Sequence, residues 1–163
     1  MKIPLTQDKQ AIIDDADYEL ISQYKWYAYK DYNTWYARTN IYGNGEQKTV
    51  LMHRLLCGSM CDGKQIDHKN HNGLDNRRSN IRVCSQNDNQ HNQRPRLGVS
   101  KYKGVGINYG KWHARIRNNG KYINLGRFDT EEDAAKAYNE AALKYFGEFA
   151  CLNQIEGGGV DEH

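Results

Sequence analysis

Four polar residues in the middle of the chain have the types and the spacing to do acid–base and metal chemistry together. Asp67 and His68 are adjacent in the sequence. Asn80 follows that histidine by 12 residues, and Asn89 follows it by 21. An imidazole with an ordinary pKa of about 6.5 is partly neutral at cellular pH, so His68 could take a proton from an attacking water. Asp67 and Asn89 carry hard oxygen atoms, which suit one Mg²⁺ or Mn²⁺ ion better than zinc.

The four residues lie on a short predicted strand–loop–strand–helix unit. Lys64–His68 reads as the first strand, and a loop rich in Asn, Asp and Gly follows it. Ile81–Cys84 alternates apolar and polar residues and predicts the second strand. Ser85 is a candidate N-cap with Asp88 three residues later, so we expect a helix over about residues 86–93. The chemistry-bearing residues can converge where the first strand ends against this helix.

One geometrical condition limits that convergence. Adjacent residues of a regular strand face opposite sides, so Asp67 and His68 share a site only where the strand bends or ends. The Asn- and Gly-rich loop that follows favours such an ending. The alternative interpretation is that Asp67, His68 and the asparagines are loop-capping polar groups of a catalytically inactive fold.

The segment Ile66–Asn92 resembles the H-N-H endonucleases, the ββα-metal finger nucleases of phages and mobile introns. The resemblance rests on the Asp-His pair, on the two asparagines at their spacing, and on Met52–Leu56, which is similar to the His-Arg-Leu helix upstream in that family. It implies a metal-dependent DNA endonuclease that hydrolyses phosphodiester bonds. The roles it implies are His68 as the base, Asp67 and Asn89 as metal ligands, and Asn80 as a support for the loop and the imidazole.

Two roles are possible for His53, and two for the aromatic residues that precede it. His53 on the short upstream helix could reach the scissile region or a phosphate, or it could pack in the interior. The aromatic residues of segment 1–50 read as short strands, and they could stack on bases or form the core of a small sheet. This segment, a small α/β or mostly β unit, is similar to the leader that precedes the finger in phage H-N-H proteins.

Charge is distributed unevenly along the 163 residues, whose formal net charge is +3. Segments 51–100 and 101–146 each carry a net charge of +4, whereas segment 147–163 carries −4. A basic central block predicts a polyanionic partner, and the resemblance makes that partner double-stranded DNA. The alternative is charge that serves solubility.

Nothing in the sequence indicates a membrane, secretion or a disulfide framework. No run approaches the roughly 18 apolar residues of a membrane span, and the mean hydropathy is −0.95. The N-terminus lacks the apolar region of a signal peptide. Cys57, Cys61, Cys84 and Cys151 predict reduced thiols in a cytosol. The alternative is a zinc site formed by Cys57 and Cys61 together with Cys84 or a nearby histidine. We therefore expect a cytoplasmic protein, encoded by a phage and acting in a bacterial host.

Residues 101–153 predict a three-stranded antiparallel sheet packed on one helix. Turns containing glycine separate the strands. The strands are expected at 102–107, 111–117 and 121–126, and the helix, capped by Thr130, at 131–146. On the second strand Trp112, Ala114 and Ile116 share one face, and His113, Arg115 and Arg117 share the other. The helix would bury one face and leave a basic ribbon of a width that fits a DNA major groove.

This segment resembles, almost end to end, the DNA-binding domain of plant ethylene-response factors, also called the APETALA type. The matching runs include SKYKGV, GKWHARIR and LGRFDTEEDAAKAYNEAALKYFGEFACLN. The resemblance implies that the sheet docks in the major groove through Lys103, Tyr109, Arg115, Arg117, Tyr122 and Asn124. The plant pattern has other residues at Gly106, Asn108, Arg115 and Asn124, so we do not expect the plant recognition sequence. Solvated strand charge is the alternative interpretation of these arginines.

The predicted order of segments places a nuclease finger before a DNA-binding domain. The boundaries are 1–50 for the N-terminal segment, 51–93 for the finger, 94–100 for a basic linker, 101–153 for the DNA-binding domain and 154–163 for an acidic, disordered tail. Arg94 and Arg96 in the linker are predicted to contact phosphates, with a plain spacer as the alternative.

The sequence therefore predicts an α+β protein, with a small α/β segment leading into a ββα finger and then a three-stranded antiparallel sheet on one helix. We expect it to nick DNA as a monomer, because a lone finger supplies one cutting site. A non-catalytic DNA-binding regulator that uses the C-terminal sheet is the main alternative. A nuclease that acts on structured RNA is a further one.

Overall fold

The structure, a computed structural model, describes residues 1–32, 34–92 and 98–155. Helices and several small antiparallel sheets are mixed along the chain, which confirms the α+β class. The chain divides into two compact units, Met1–Asn89 and Gln90–His163. No helix in the described ranges is long and apolar enough to cross a membrane.

Short strands and short helices make up the first ninety or so residues. Three antiparallel sheets occur here: β1 pairs with β2, β4 lies between β3 and β5, and β6 pairs with β7. The elements are β1 (Lys2–Pro4), β2 (Gln10–Ile12), α1 (Tyr18–Ile21), β3 (Tyr27–Asp31), β4 (Thr34–Gly43), β5 (Glu46–Leu51), α2 (Met52–Cys57), β6 (Gln65–His68), β7 (Ile81–Cys84) and α3 (Gln86–His91).

The β3–β4–β5 sheet turns one face to the interior and the other outward. Ala28 and Ala37 are buried, whereas Tyr29 and Tyr42 are exposed. Side chains alternate between the two faces of a strand, so the small residues face the core and the tyrosines collect on the outer face. Among the aromatic residues of these strands, Tyr27, Trp35 and Tyr36 are partly buried, and Trp26 packs in the core just before β3.

One hydrophobic core joins these N-terminal elements to α2 and β7. The Trp26 indole donates a hydrogen bond to the Ile21 carbonyl oxygen at 2.9 Å, which satisfies its polar atom inside that core. Because α2 and β7 pack on it, the N-terminal segment and the predicted finger share one interior. The core contains Ile3, Ala11, Ile13, Ile21, Trp26, Ala37, Met52 and Leu56, with Leu5, Tyr24, Leu55, Leu74 and Ile81 packed against it.

The predicted strand–loop–strand–helix order is present in β6, β7 and α3. The β6–β7 ladder pairs Gln65 with Cys84 at one end and His68 with Ile81 at the other. The Asp88 amide donates to Ser85 Oγ, and the Ser85 amide donates to Asp88 Oδ2, each at 3.2 Å. The capping box predicted at the start of α3 is thus confirmed, because each residue satisfies a backbone N–H of the other.

The second unit holds three antiparallel strands and a long helix. They are β8 (Val105–Asn108), β9 (Lys111–Asn118), β10 (Lys121–Phe128) and α4 (Glu131–Phe146), with β9 between the other two strands. A bulge between Asn124 and Gly126 interrupts the β9–β10 register. The Asp133 amide donates to Thr130 Oγ1 at 3.1 Å, so the predicted cap of α4 is confirmed.

Small residues let α4 lie close to the sheet. Gly104 has a φ of +76°, and a Cβ there would lie 2.2 Å from the Tyr138 ring, so a larger residue would push the helix away. Near the end of α4, Phe146 is buried, whereas the neighbouring Tyr145 side chain is 39% exposed. The buried positions of α4 are Ala134, Ala135, Tyr138, Ala141, Ala142 and Phe146.

Candidate functional site

Three aromatic rings meet at the end of β6. His68 is the last residue of that strand, His53 lies on α2, and Tyr36 lies on β4. The centroids of the two imidazole rings are 5.0 Å apart, in an edge-to-face arrangement. The Tyr36 ring centroid lies 5.6 Å from that of His53 and 5.9 Å from that of His68. Both histidines are buried, so His53 packs in the interior and also stands beside the predicted base.

The loop after β6 approaches Tyr36 closely because it carries no side chain at Gly73. A Cβ at that position would lie 2.6 Å from the Tyr36 ring and 2.5 Å from the Trp35 carbonyl oxygen. The same loop pairs with β2, since the Ile12 amide donates to the Leu74 carbonyl oxygen at 2.8 Å. The N-terminal elements therefore help to position the loop that follows the predicted base.

Two aspartates near α1 hold this loop as well. Arg78 donates from Nε to both carboxylate oxygens of Asp17, and from Nη2 to Oδ1 at 2.6 Å. The Arg78 amide donates to Asp14 Oδ2 at 2.8 Å. Asp17 is buried. Its charge-assisted hydrogen bonds with Arg78 connect two residues that are 61 positions apart in the sequence.

Burial favours the neutral form of both imidazoles. Desolvation lowers the pKa of His53 to about 3, and the neighbouring charges of His68 and an arginine act in the same direction. Burial also lowers the pKa of His68, and the Asn76 amide and the Asp67 and Asp75 carboxylates oppose this shift in part. A neutral imidazole can accept a proton, so the environment suits His68 to the role of a base.

Acidification is expected to destabilise the N-terminal unit below about pH 6.5. Histidine in the unfolded chain has a pKa of about 6.5, whereas that of folded His53 is about 3, so the unfolded state binds more protons between these values. The free energy of unfolding should therefore fall by about 1.4 kcal/mol per pH unit for His53 alone. The lowered pKa of His68 acts in the same direction. Urea denaturation at several pH values between neutrality and pH 5 measures this slope.

The variant His53→Gln is the matched control for that slope, because it removes the titrating group. Its free energy of unfolding should depend less steeply on pH over the same range. Arg77 lowers the pKa of Asp75, but a carboxylate with a lowered pKa contributes only near and below its ordinary value of about 4. Identical slopes for the two proteins would contradict a buried, neutral His53.

The predicted metal ligand Asp67 is bound by an arginine on the neighbouring strand. Asp67 and Arg82 are directly opposite in the β6–β7 ladder. Arg82 donates from Nε at 3.0 Å and from Nη2 at 2.7 Å, in both cases to Asp67 Oδ2. The two side chains are only 9% and 8% exposed. The carboxylate is thus fixed in place and paired with a positive charge inside the protein.

Asn89, the second predicted metal ligand, lies on the same side of β6 as Asp67. Its amide nitrogen donates to Gln65 Oε1 at 2.7 Å. Gln65 and Asp67 are two residues apart on one strand, so their side chains share a face. The hydrogen bond fixes which way the Asn89 amide is turned, and its oxygen is the atom that could bind a cation.

Asn80 holds the two ends of the loop together. Its side-chain oxygen accepts from the Asn70 amide at 3.1 Å, and its side-chain nitrogen donates to the Asp75 carbonyl oxygen at 2.7 Å. Its backbone carbonyl oxygen accepts from the Lys69 amide at 2.9 Å. The residue is buried. These bonds give it the loop-holding geometry that the resemblance implies.

The oxygen donors of this site are few, and they are chemically suited to a hard divalent ion. Within the described residues, no group of three or more His, Cys, Asp and Glu side chains could hold a metal ion. Asp67 and Asn89 contribute a carboxylate and an amide oxygen, a donor set that suits Mg²⁺ or Mn²⁺ with water and phosphate oxygens as its other ligands. All four cysteines are free thiols.

The outer face of the β8–β9–β10 sheet presents arginines beside tyrosines. Arg115 and Arg117 lie with their guanidinium carbons 4.9 and 5.7 Å from the centroid of the Tyr122 ring. Tyr122 is 64% exposed, and it pairs with Arg117 across the ladder, as Asn124 pairs with Arg115. These four residues therefore form one exposed basic and aromatic surface, which we call the sheet face.

The other predicted DNA-facing residues have different surroundings. Tyr109 is exposed in the β8–β9 turn, and the Arg127 guanidinium lies 5.9 Å from its ring centroid. The Lys103 ammonium donates to the His91 carbonyl oxygen at 2.6 Å, and burial lowers the pKa of that lysine. Lys103 is thus half-buried rather than exposed with the sheet face. The predicted phosphate contacts Arg94 and Arg96 lie outside the described residues.

Comparison with known proteins agrees with this geometry. The family model described as HNH endonuclease matches residues 50–91, the segment that contains α2, β6, β7 and α3. An uncharacterized HNH endonuclease of Acanthamoeba polyphaga mimivirus is 32% identical over 152 residues, which cover 90% of this chain and 75% of that protein. The chain belongs to the HNH endonuclease family. The resemblance predicted from the sequence is confirmed, and the chain is a nuclease by family.

The C-terminal part of this HNH endonuclease is similar to plant proteins instead. An ethylene-responsive transcription factor of Arabidopsis thaliana is 47% identical over 60 residues, which are 34% of this chain and 14% of that protein. The dehydration-responsive element-binding protein 2D of the same plant is 51% identical over 58 residues, which are 34% of this chain and 28% of that protein. The chain thus spans a small part of these plant relatives, and the second predicted resemblance is confirmed as a likeness of the C-terminal segment.

Sequence reasoning missed two residues that complete the site. Tyr36 lies more than thirty residues before His68, and no spacing pattern connects the two. Arg82 did carry a signal, because a residue near the start of the second predicted strand lies opposite one near the end of the first. That signal could be used only once the register of the β6–β7 ladder was known.

Proposed function

We propose that the protein is a metal-dependent endonuclease that hydrolyses phosphodiester bonds of double-stranded DNA, with its sheet face bound in the major groove. The observation that carries the proposal is the buried His68 next to Asp67, on a β6–β7–α3 unit inside the segment that matches the HNH endonuclease family. Nicking by a monomer is the simplest form of the activity, since the described residues hold one such unit. Homing and a phage origin remain predictions.

His68 acts as the general base in this proposal. Its imidazole would remove a proton from a water molecule that attacks the scissile phosphate. The edge-to-face contact with His53 and the tilted contact with Tyr36 restrict rotation of the ring. Asn80 holds the loop that begins directly after His68, and so supports the position of the base.

Asp67 and Asn89 would hold the divalent ion. HNH nucleases typically use divalent metal ions, and the hard oxygen donors of these two residues fit Mg²⁺ or Mn²⁺. When bound, such an ion would stabilise negative charge on the phosphate and on the leaving oxygen. Gln65 orients the Asn89 amide through its hydrogen bond.

The sheet face would position the enzyme on its substrate. Arg115 and Arg117 can contact phosphates or base edges, and the exposed Tyr122 supports both guanidinium groups. Tyr109 and Asn124 extend the same interface, and Arg94 and Arg96 would add phosphate contacts from the linker. The half-buried Lys103 would reach DNA only after leaving the His91 carbonyl oxygen.

A non-catalytic regulator is the second candidate function. The sheet face would serve such a protein equally well, because DNA binding needs no base and no metal ligand. The regulator does not account for the Asp67, His68, Asn80 and Asn89 set, and membership of the HNH family favours the nuclease.

The variant Asn89→Ala tests the proposed metal site. It should raise the Mg²⁺ concentration needed for half-maximal cleavage by roughly tenfold or more, because one of two protein oxygen ligands is lost. Its dissociation constant for DNA in EDTA should match that of the wild type. Cleavage rates over a Mg²⁺ titration, together with gel shifts, measure both quantities.

Gln65→Ala is the matched control for that experiment, since it removes the partner of Asn89 and keeps the proposed ligand. It should shift the Mg²⁺ requirement less than Asn89→Ala does. Equal losses of DNA binding and of metal response in Asn89→Ala would argue that this residue is a structural group rather than a ligand.

A further inference from the structure

Arg82 forms a buried, two-donor ion pair with the proposed metal ligand. The pair joins Arg82 Nε and Nη2 to Asp67 Oδ2 at 3.0 and 2.7 Å, between residues that face each other across the β6–β7 ladder. Its side chains are 9% and 8% exposed. Solvent and salt only weakly screen the charges of an ion pair that is so little exposed. The arginine charge therefore acts on any other ion that binds the same carboxylate.

Two other arginine–aspartate pairs in the same unit differ in their exposure. The Arg77 and Arg78 side chains, which pair with Asp75 and Asp17, are 48% and 54% exposed. In these pairs the guanidinium keeps much of its contact with water. Arg82 alone among the three is enclosed, and its partner is the carboxylate to which the proposed function assigns a cation.

This arrangement has two opposing electrostatic consequences. A buried carboxylate without a partner is costly, so Arg82 stabilises Asp67 in the metal-free protein. The compensating positive charge is part of the protein itself. A cation that approaches Asp67 meets that fixed positive charge beside the carboxylate oxygen, and it must compete with the arginine.

We propose that Arg82 is a positioning residue that holds the Asp67 carboxylate in place and sets the affinity of the site for a divalent ion. This inference rests on the proposed function, in which Asp67 is a metal ligand. Arg82 prevents the carboxylate from being an uncompensated buried charge before the ion arrives. It also weakens ion binding, so that DNA phosphates, which add negative charge, favour loading of the metal at the substrate.

Direct Mn²⁺ binding in the absence of DNA tests this inference. The free Mn²⁺ signal in electron paramagnetic resonance gives dissociation constants for the wild type and for Arg82→Met. The variant should bind Mn²⁺ roughly tenfold more tightly or better, because one unit charge beside a divalent ion has been removed. Its melting temperature should fall in EDTA and recover with Mn²⁺ by more than that of the wild type does.

Arg78→Met is the matched control, because it also breaks an arginine–aspartate pair and removes one positive charge from the same unit. It should lose stability and keep the wild-type dissociation constant for Mn²⁺. Should Arg82→Met fail to fold, Arg82→Gln keeps a hydrogen-bond donor toward Asp67 without the charge, and it should bind Mn²⁺ more tightly in the same way.

Adding Asp67→Asn to each protein separates the two ways in which the inference can fail. Mn²⁺ binding that requires Asp67 but is unchanged or weakened in Arg82→Met and Arg82→Gln would overturn the role of Arg82 and leave the proposed metal site standing. Absence of any binding that depends on Asp67, in all of these proteins, would overturn both. Tighter binding in the Arg82 variants that is lost with Asp67→Asn would establish the inference.

Discussion

His68→Ala is expected to lower the single-turnover rate constant for DNA cleavage by roughly 10²- to 10⁴-fold at saturating Mg²⁺, the usual contribution of a general base. The expectation follows from the buried imidazole, whose lowered pKa keeps it able to accept a proton at neutral pH. The proposed metal ligands and the sheet face are unchanged in this variant. Its dissociation constant for DNA in EDTA should therefore stay close to that of the wild type.

A histidine in the following loop supplies the control for that experiment. His71 lies three residues after the proposed base at a φ of 61°, and asparagine tolerates this backbone conformation, so His71→Asn should fold and cleave like the wild type. Circular dichroism spectra would verify that both variants are folded. A cleavage rate in His68→Ala within a few-fold of the control would contradict the role of His68 as the base.

The double variant Arg115→Ala plus Arg117→Ala is expected to weaken DNA binding by roughly 10- to 100-fold at moderate salt. Each phosphate contact that is lost should also make the negative slope of log affinity against log salt less steep, by about 0.9. The physical basis is the sheet face, where both guanidinium groups flank the exposed ring of Tyr122. Fluorescence anisotropy with labelled duplex DNA over a salt series measures the affinity and the slope together.

Lys136→Ala plus Lys144→Ala is the matched control, because it removes two positive charges from exposed positions on α4. That helix packs on the other side of the same sheet, through residues such as Tyr138 and Ala142. We expect a much smaller loss of affinity from this pair. Equal losses in the two double variants would mean that net charge, rather than the sheet face, determines DNA binding.

Local sequence signals predicted the C-terminal unit closely. Alternating residues and a glycine turn gave β9 nearly to its ends, and a threonine followed by acidic residues gave the start of α4. Such features depend on neighbours in the sequence, so they can be recognised without the fold. The first strand was placed too early: β8 begins at Val105, and the Lys103 amide donates to Asn153 Oδ1.

Only those residues of the candidate site that lie close together in the sequence were predicted. The spacing of Asp67, His68, Asn80 and Asn89 predicted the β6–β7–α3 unit, and β6 ends at His68. That Asp67 and His68 act on one phosphate stays a prediction. Asp67 and Asn89 lie on one side of this strand, while the ring of His68 packs against Tyr36 and His53.

The contribution of the N-terminal segment could not be predicted, because it depends on contacts between residues far apart in the sequence. Tyr36, Ile12 and Asp17 reach the site region through ring packing, strand pairing and an ion pair. None of these contacts leaves a periodic pattern in the sequence. The partner of Asp67 was missed for the same reason, since Arg82 becomes its neighbour only through strand register.

Cleavage of a supercoiled plasmid pool that carries a randomised insert tests the central claim most directly. The wild-type protein would be incubated with the pool in Mg²⁺, in Mn²⁺ and in EDTA, beside His68→Ala. We predict open circular DNA from the wild type in either metal ion, and none from it in EDTA or from the variant in any condition. Supercoiled DNA that stays intact in every lane, while the same wild-type protein shifts the pool in a gel, would contradict the nuclease and leave a DNA-binding protein.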